Sequence, residues 1–536
     1  MGMDKKPMPV GVEDFKELKE NYYFVDKTRF VKELLDDRGK VTLITRPRRF
    51  GKTLTLSMLK YFFSLEDAGE NRQLFSGLDI EAAGEAYMRE QGTRPVVFLT
   101  LKDMAARDFS SMLRLMAIKL QEVYEEFAYM AEGGSLSAPV ARYFERIRDG
   151  EGSPEDMVLS LRQLTVFLAK YHGKDPILLL DEYDAPIQAA WEHGYYDECI
   201  GLMRGFLGAA LKTNPHLGFA VLTGVARISK ESIFSGLNNI QVCSVLSERY
   251  SDIFGFTRQE TEQLMDDCGV AENLPELRRW YDGYRFGSSE IYNPWSVIQY
   301  INEGCRFGAY WINTSGNAIL QDMLGSMDEG RKADLERLLD GNSVKSAIQE
   351  GIVYPDIHEN RYALFMMLLA TGYLKAIKTW QDERGRWWCH LMIPNREVRI
   401  AYEDEILVRL SGSQDQALPY DMLDAMLSGN AGAFQEALQK ILRENMSFHD
   451  SAHPESFYHG MMLGFSVLME GKYRVESNRE SGYGRFDIAF FPLKKHTPGV
   501  VLELKSARED GSLEKIAREA LGQIREKAYE TELGRQ

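Results

Sequence analysis

A short Gly-Lys-Thr sequence, placed between an apolar run and a helix-like stretch, constrains this chain more than any other feature. Gly51, Lys52 and Thr53 fill three of the four fixed positions of the phosphate-binding loop G-x-x-x-x-G-K-[ST], and Arg46 stands where the first glycine would be. The β-branched run "VTLIT" at 41–45 leads into the loop, and apolar residues recur at helical spacing after it. Strand, loop and helix in this order predict an α/β domain that holds phosphate at a helix N-terminus.

The chemistry of such a loop is electrostatic. We expect Lys52 to reach the β- and γ-phosphates of ATP and the Thr53 hydroxyl to bind Mg²⁺. A bulky residue forced to positive φ is strained, so with Arg46 in place of glycine we expect the loop to take a different course through Pro47. Its arginines would add positive charge beside the phosphates. The predicted cofactor-binding residues of the loop are Arg46, Pro47, Arg48, Arg49, Phe50, Gly51, Lys52 and Thr53.

Three further apolar runs predict strands at 95–101, 177–180 and 217–224, and amphipathic segments separate them. This alternation predicts a mostly parallel sheet between helices. The run at 177–180 is continuously apolar, as expected of a parallel strand that is buried on both faces.

Acidic and polar residues follow two of these strands. Asp181 and Glu182 match a Walker B element, in which Asp181 would hold Mg²⁺ and Glu182 would polarise the attacking water. Thr223 ends the next strand, where a γ-phosphate sensor is found in such ATPases, and Arg227 could neutralise transition-state charge as an arginine finger does. The alternatives stay open at this point, because an acidic pair after a strand, a strand-closing threonine and a surface arginine need no special purpose.

Bulk properties restrict the class of protein. A chain of 536 residues predicts two to four domains. The formal net charge of −16 argues against a surface coated with basic residues for non-specific DNA binding. Residues 441–536 carry a balance of only −1, so the first 440 carry −15. Five scattered cysteines suggest no zinc site or disulfide framework, and no apolar run is long enough to span a bilayer, so we expect a cytoplasmic protein without membrane contact.

The middle of the chain, residues 256–440, is mainly helical in pattern. Thr257 to Glu260 reads as a capping box, and Asn293 with Pro294 reads as an N-cap and first-turn proline. Aromatic stretches at 280–287 and 310–317 are interpreted as packing and turn residues of a connector. A role in transmitting the nucleotide state is the alternative.

The C-terminal segment contains a second acidic motif. Runs at 472–477, 485–491 and 499–505 predict strands, on which Glu503 and Lys505 share a face. If the preceding strand pairs alongside, Asp487 comes close to Glu503, and the two carboxylates offer ligands for Mg²⁺. Lys505 would orient or activate a nucleophile. The alternative is an alternating charged face of a strand.

The stretches "PVGVEDFKELKENYYFVDKTRFVKELL", "TLITRPRRFGKTLTLSMLKYFF", "LLLDEYDAPI" and "GVARISKESIFSGLNN" together resemble the bacterial AAA-ATPase-like family. That family usually carries a C-terminal PD-(D/E)XK nuclease superfamily domain, and its loop has the same RPRRFGKT form. The resemblance implies a P-loop domain at 1–255, a helical connector at 256–440 and an α/β restriction-endonuclease-like domain at 441–536.

The resemblance also implies functional residues in the last domain. Asp487, Glu503 and Lys505 correspond to the catalytic core, with Phe486 in place of the motif's proline. Gln523 and Tyr529 resemble polar helper positions, and Glu455 and Glu470 are further candidate metal contacts. His459 is interpreted as a packed helix residue. Members of the family continue past the Gln523–Tyr529 helix, so we expect a domain that is truncated at its C-terminus.

Together these features favour an enzyme in which ATP binding or hydrolysis gates Mg²⁺-dependent cleavage of nucleic acid, with DNA favoured. One alternative is a nucleotide-dependent switch whose C-terminal fold binds nucleic acid or a protein without cleavage. Another is ATP hydrolysis alone, with a degenerate nuclease. An arginine finger acting in trans would require a homo-oligomer.

Overall fold

The structure is a computed structural model in which the chain divides into two compact units, residues 1–399 and 400–536. The described residues are 6–132, 136–228, 240–312, 329–339, 341–349, 351, 354–411, 417–445, 462, 465, 469, 472–477, 480–481, 484–485, 487–494, 497–505 and 512–526.

A five-stranded parallel sheet organises the first unit. Its strands are β1 (Val41–Thr45), β2 (Val96–Thr100), β3 (Ile177–Asp181), β4 (Phe219–Gly224) and β5 (Ile240–Cys243), in the order β2-β3-β4-β1-β5. Every residue of β1 and β3 is buried, which explains their continuous apolar sequences. The predicted parallel sheet between helices is therefore confirmed, with strand ends shifted by one or two residues from the sequence pattern.

Along the chain, helices precede the first strand of this sheet and separate several of the later strands. In the described residues before β6 they are Phe15–Asn21, Arg29–Asp37, Lys52–Phe63, Ala68–Leu74, Asp79–Ala82, Glu85–Met88, Phe109–Glu125, Tyr129–Glu132, Ala138–Arg148, Pro154–His172, Ala185–His193 and Tyr196–Leu211, with a 3₁₀ turn at Lys102–Met104.

The middle of the chain is mainly helical and also contains two small antiparallel sheets. One joins β6 (Phe256–Thr257), β7 (Tyr284–Phe286) and β8 (Ser289–Tyr292), and the other joins β9 (Val344–Ala347), β10 (Lys375–Gln381) and β11 (Trp387–Met392). The described helices from residue 258 to the end of the first unit's chain segment are Arg258–Cys268, Leu274–Tyr281, Pro294–Asn302, Glu329–Leu339, Asp356–Glu359, Arg361–Thr371 and the start of Arg396–Ser411, with a 3₁₀ turn at Ala271–Asn273.

Both helix starts predicted for the middle segment are confirmed. The Thr257 hydroxyl accepts from the Glu260 amide, and the Glu260 carboxylate accepts from the Thr257 amide, which completes a capping box. The Asn293 side chain accepts from the amides of Trp295 and Ser296, with Pro294 in the first turn.

The second unit combines helices Leu418–Leu427, Ala431–Asn445 and Leu513–Glu526 with a small sheet. The sheet joins β12 (Tyr473–Ser477), β15 (Ile488–Pro492) and β16 (Val500–Leu502), all antiparallel, and a two-residue pair joins β13 (Glu480–Ser481) to β14 (Gly484–Arg485). Its core is apolar and contains Leu418, Met422, Leu423, Ile441, Met462, Phe465, Met469, Tyr473, Ile488 and Phe490.

Strand β16 is shorter than the sequence pattern predicts. It ends at Leu502, so Glu503 and Lys505 follow the strand instead of lying on it. Among the helices in the part of the chain that the structure describes, none has the length and apolarity needed to cross a membrane.

Candidate functional site

The strand order of the parallel sheet brings polar side chains from three strands to one edge. Strand β4 lies between β1 and β3, and the carboxyl ends of parallel strands meet at the same edge. Thr53, just inside the helix after β1, donates its hydroxyl to Asp181 Oδ2 at 2.6 Å. Thr223, near the end of β4, donates its hydroxyl to Asp181 Oδ1. Three residues singled out in the sequence thus form one contiguous cluster around a carboxylate that is 2% exposed.

Lys52 is buried at the start of the helix, beside this cluster. Its ammonium donates to the carbonyls of Arg46 at 3.1 Å and Pro47 at 2.9 Å, so the loop folds around it. Burial lowers the pKa of Lys52, and the nearby carboxylates of Glu182 and Asp181 oppose that shift. Gly51 has φ of 82°, a left-handed conformation that a glycine adopts without strain.

Arg46 stabilises the end of β1 instead of presenting its charge at the loop surface. Its side chain is 0% exposed and donates to the carbonyls of Thr45 and Cys243 at 2.9 Å and of Tyr250 at 3.0 Å. Its guanidinium also lies 4.9 Å from the centre of the Phe286 ring. Burial lowers the pKa of Arg46 to about 10. A part for its backbone in cofactor binding stays a prediction.

The left-handed turn of the loop is at Arg49 and not at Arg46, which stands in place of the motif's first glycine. Among the described non-glycine residues, Arg49 is in the left-handed region with φ of 69° and Arg46 is not. Arg49 is exposed, and its guanidinium lies 4.2 Å from the centre of the Trp295 ring. Arg48 is exposed too and donates to Gln188 Oε1 at 3.1 Å. The turn without its first glycine therefore needs no strained backbone at Arg46.

Phe50 fixes the loop from the other side. Its side chain is 1% exposed, with ring centres 5.0 Å from Tyr284 and 5.3 Å from Phe286. Its carbonyl accepts from the Gly255 amide at 3.2 Å. The hairpin β7–β8 and the segment before β6 therefore support the loop directly.

Glu182 has the electrostatic character expected of a catalytic carboxylate. Burial raises its pKa, and Lys52 opposes the shift. Its backbone is left-handed, with φ of 49°, a conformation that costs a non-glycine residue about 1–2 kcal/mol. Strain of this kind concentrates at functional sites.

Asp184, which the sequence reasoning missed, holds the segment after β4. Its carboxylate is buried and accepts from the amides of Val225 at 2.8 Å and Ala226 at 2.9 Å. The Tyr183 hydroxyl donates to the Ala226 carbonyl at 2.6 Å. Arg227 lies in this fixed segment and is not among the residues lining the cavity beside the loop.

A cavity of about 500 Å³ opens beside the phosphate-binding loop. Its wall includes the polar residues Lys52, Thr53 and Glu182. Apolar residues line it too, from the N-terminal segment, the segment 253–256, helix Arg258–Cys268 and the helix that starts at Pro294. The principal apolar lining residues are Met8, Pro9, Val12, Ile253, Leu264, Pro294, Trp295 and Ile298.

A buried carboxylate connects the loop to the cavity wall. Trp311 donates its indole N–H to the Arg48 carbonyl at 3.2 Å and its backbone amide to Glu397 Oε1 at 2.6 Å. Glu397 Oε2 accepts from the Ser296 hydroxyl at 2.8 Å, one residue after Trp295. Glu397 is 0% exposed, and burial raises its pKa to about 7. Because Glu397 lies far from the loop in the sequence, the sequence gave no sign that it connects the loop to the cavity wall.

The second unit holds the other predicted site. Ile488 pairs with Leu502, and continuation of this register places Asp487 opposite Glu503. Asp487 Oδ2 accepts from the Leu504 amide at 2.7 Å, and Lys505 donates to Glu503 Oε1 at 2.8 Å. The Glu503 side chain is 2% exposed, and its Oε2 has no hydrogen-bond partner within the described part of the chain.

An orphaned buried carboxylate oxygen beside a second carboxylate fits a hard cation. Among the described residues, however, no group of three or more His, Cys, Asp or Glu side chains is close enough to hold a metal ion. Gln523 is half-buried on helix Leu513–Glu526. The other candidates of this region, Glu455, His459, Glu470, Phe486 and Tyr529, lie outside the described residues.

The sheet order and the loop with its buried lysine define an α/β domain of the P-loop type, and the second unit brings the carboxylates of Asp487 and Glu503 to neighbouring positions. Comparison with known proteins agrees. Residues 9–234 match the family described as predicted AAA-ATPase, and residues 453–536 match the PD-(D/E)XK nuclease superfamily. The chain thus has the architecture of an AAA-ATPase-like protein with a C-terminal PD-(D/E)XK nuclease superfamily domain.

A relative from Azotobacter chroococcum mcd 1, described as an uncharacterized protein in the vnfD 5′ region, is 29% identical over 415 residues. The aligned part covers 76% of this chain and 71% of the relative.

Proposed function

We propose that the first unit binds and hydrolyses ATP with Mg²⁺ and that this activity gates cleavage of nucleic acid, DNA above all, by the second. The observation that carries the ATPase is the contact of Thr53 and Thr223 with the Asp181 carboxylate, beside the buried Lys52. Hydroxyl and carboxylate oxygens are the donors that Mg²⁺ prefers.

Each residue of the first site receives a role. Lys52 holds the β- and γ-phosphates, together with amides of the loop at the start of the helix. Thr53 and Asp181 hold Mg²⁺, which supplies charge neutralisation at the phosphates when bound. Thr223 acts as the γ-phosphate sensor through its hydrogen bond to Asp181. Glu182 takes a proton from the attacking water. Arg227 neutralises charge from the fixed segment after β4, in cis or across a homo-oligomer.

The apolar lining of the cavity suits the nucleoside. Pro294 and Trp295 belong to this lining, and the N-terminal segment lies in the same cavity wall as the loop. Ligand cavities in proteins are mostly apolar with a few placed polar groups, which is the composition seen here. The domain boundaries at residues 255 and 440 are also part of this proposal. The connector between them supplies part of the wall of the cavity that holds the nucleotide.

In the second unit, Asp487 and Glu503 hold Mg²⁺, and Lys505 orients the nucleophile next to Glu503. The buried, orphaned oxygen of Glu503 supports this assignment. A cleavage screen tests it. Purified protein is incubated with single- and double-stranded DNA and RNA, with Mg²⁺ or Mn²⁺ and with or without ATP. We expect cleavage of DNA that depends on the metal and changes with ATP. Binding without cleavage of any substrate would overturn the nuclease and leave a nucleotide-dependent switch.

A further inference from the structure

One face of the sheet β9–β11 has a composition unlike the rest of this acidic chain. It carries Lys345 on β9, Trp388 and His390 on β11, and Lys378 and Trp380 on β10, here called the aromatic sheet face. The register places Lys345 and Lys378 on either side of His390, and Trp380 directly opposite Trp388. Two cross-strand rows, one cationic and one aromatic, therefore lie next to each other.

The rings of this face are ordered by mutual contact. Trp380 and His390 have ring centres 4.9 Å apart and planes inclined by only 31°. The Lys345 ammonium lies 4.2 Å from the centre of the Trp388 ring and 5.5 Å from that of Trp380. The two lysines are exposed, and the two indoles and the imidazole are half-buried. The result is a set of planar rings, fixed in orientation, with the Lys345 ammonium over the Trp388 ring.

The local charge is opposite to that of the chain. Within β9 and the segment 375–392 there are five Lys and Arg residues against two acidic residues, whereas the chain has a net charge of −16. One of the acidic residues, Asp382, already accepts from Arg386 Nε at 2.9 Å and from Trp388 Nε1 at 3.0 Å. Arg285 adds an exposed cation beside β10, where it donates to the Ile377 carbonyl at 3.0 Å.

We infer that the aromatic sheet face binds single-stranded DNA. Bases stack on ordered aromatic rings, and the lysines neutralise backbone phosphates, which is the chemistry by which proteins hold single strands without reading their sequence. An acidic peptide would use the lysines but leave the flat rings without planar partners. The inference rests on the proposed function only for the purpose of this binding. That purpose is to hold a single strand on the same chain that cuts nucleic acid.

The plain alternative is that these residues stabilise the sheet and nothing else, since cross-strand aromatic pairs do so. Matched variants separate the two. Trp380→Ala removes a ring from the face, and Trp380→Phe keeps a ring. Trp387→Ala is the aromatic control, because neighbouring side chains on a strand point to opposite faces, and Trp387 is 50% exposed. Lys345→Ala is paired with Lys174→Ala, an exposed lysine elsewhere in the first unit.

The experiment measures anisotropy of a fluorescein-labelled oligothymidylate of about 16 nucleotides, the upper range for small single-strand-binding folds. The full chain is used in EDTA, so binding is observed whether or not the protein cuts with Mg²⁺. We expect Trp380→Ala to weaken binding about tenfold, with Trp380→Phe and Trp387→Ala near wild type. Lys345→Ala should lower the slope of log K against log salt by about 0.7, and Lys174→Ala should not.

Equal affinity in Trp380→Ala, Lys345→Ala and wild type, or no binding by wild type, would overturn the inference. A lowered melting temperature in Trp380→Ala with unchanged affinity would assign the face to sheet stability alone. If Trp380→Ala fails to fold, Lys345→Ala and Lys378→Ala carry the test, because both lysines are exposed. If the protein cuts no substrate in the Mg²⁺ screen, the proposed nuclease activity is wrong. Binding of single-stranded DNA by the aromatic sheet face, measured in EDTA, is not affected by that outcome.

Discussion

Thr53 Oγ1 lies 2.6 Å from Asp181 Oδ2, although 128 residues separate them in the chain. The contact exists because β1 and β3 end at the same edge of the sheet, with β4 between them. It joins the two halves of the proposed Mg²⁺–nucleotide site, one from the loop and one from the acidic strand end. Thr223 completes the cluster from the intervening strand.

Replacement of Glu182 by Gln should separate hydrolysis from binding. The side chain keeps its shape but no longer accepts a proton from water, so we expect kcat for ATP to fall by about 10²- to 10⁴-fold. Affinity for ATP should stay close to wild type, as titration calorimetry would show. A variant that hydrolyses ATP at the wild-type rate would contradict the role of Glu182.

The pH dependence of hydrolysis provides a second test of Glu182. Burial raises its pKa, and the active form is the deprotonated one. As pH falls, kcat should therefore decline at a higher pH than an exposed glutamate would give. Steady-state rates across the acidic range up to about pH 8 measure this limb, and Glu182→Gln should lack it. An acid limb that persists unchanged in Glu182→Gln would contradict the assignment.

Arg46 should matter for stability. Its buried guanidinium donates to three carbonyls, and Arg46→Ala leaves those acceptors unpaired beside a cavity. We expect a loss of about 3 kcal/mol in the free energy of unfolding, measured by urea denaturation. Arg48→Ala is the control, because Arg48 is exposed, and its stability should match wild type. Equal stability of both variants would show that Arg46 does not hold the end of β1.

Glu397 should make stability depend on pH. Its folded pKa of about 7 is above that of an unfolded glutamate, so the folded state binds the proton more tightly. The resulting destabilisation is absent below the unfolded pKa and complete above the folded pKa, and it amounts to about 3 kcal/mol. Wild-type stability should therefore fall from about pH 4.5 to about pH 7 relative to Glu397→Gln, in urea denaturation at each pH. Parallel curves for the two proteins would contradict a raised pKa.

The second unit gives the prediction that separates the two activities. Glu503→Ala and Lys505→Ala should abolish Mg²⁺-dependent nicking of DNA and leave ATP turnover unchanged, because both residues lie in the second unit. Lys472→Ala is a control, since Lys472 is exposed and lies just before β12. Nicking that survives in Glu503→Ala would remove the metal-holding role of that carboxylate.

Local patterns in the sequence predicted much of this structure because their physics is local. Apolar runs predicted the buried strands, and Thr257 and Asn293 predicted helix starts through their own capping bonds. The loop motif placed Lys52 and Thr53 at a helix N-terminus. The sequence also placed Asp181 and Thr223 at strand ends, but it did not predict the contact between them.

Long-range packing could not be predicted in the same way. No residue near Arg46 in the sequence indicates that its guanidinium donates hydrogen bonds to the carbonyls of Cys243 and Tyr250. The sequence "NPW" predicted a helix start at Pro294 but not that Trp295 contacts Arg49 of the loop and lines the cavity beside it. Glu397 and Asp184 act through buried contacts with distant backbone, and a single sequence carries no sign of such partners.

The central claim is that the loop around Lys52 holds the phosphates of ATP, and titration calorimetry of Lys52→Ala tests it most directly. ATP and Mg²⁺ are titrated into wild type, Lys52→Ala and Lys60→Ala, the last a half-buried lysine on the same helix beside Glu126. We expect Lys52→Ala to weaken binding by about 10- to 100-fold, because charged hydrogen bonds to the phosphates are lost, and Lys60→Ala to bind as wild type does. Equal affinity in Lys52→Ala and wild type, or no binding of ATP by wild type, would contradict the central claim.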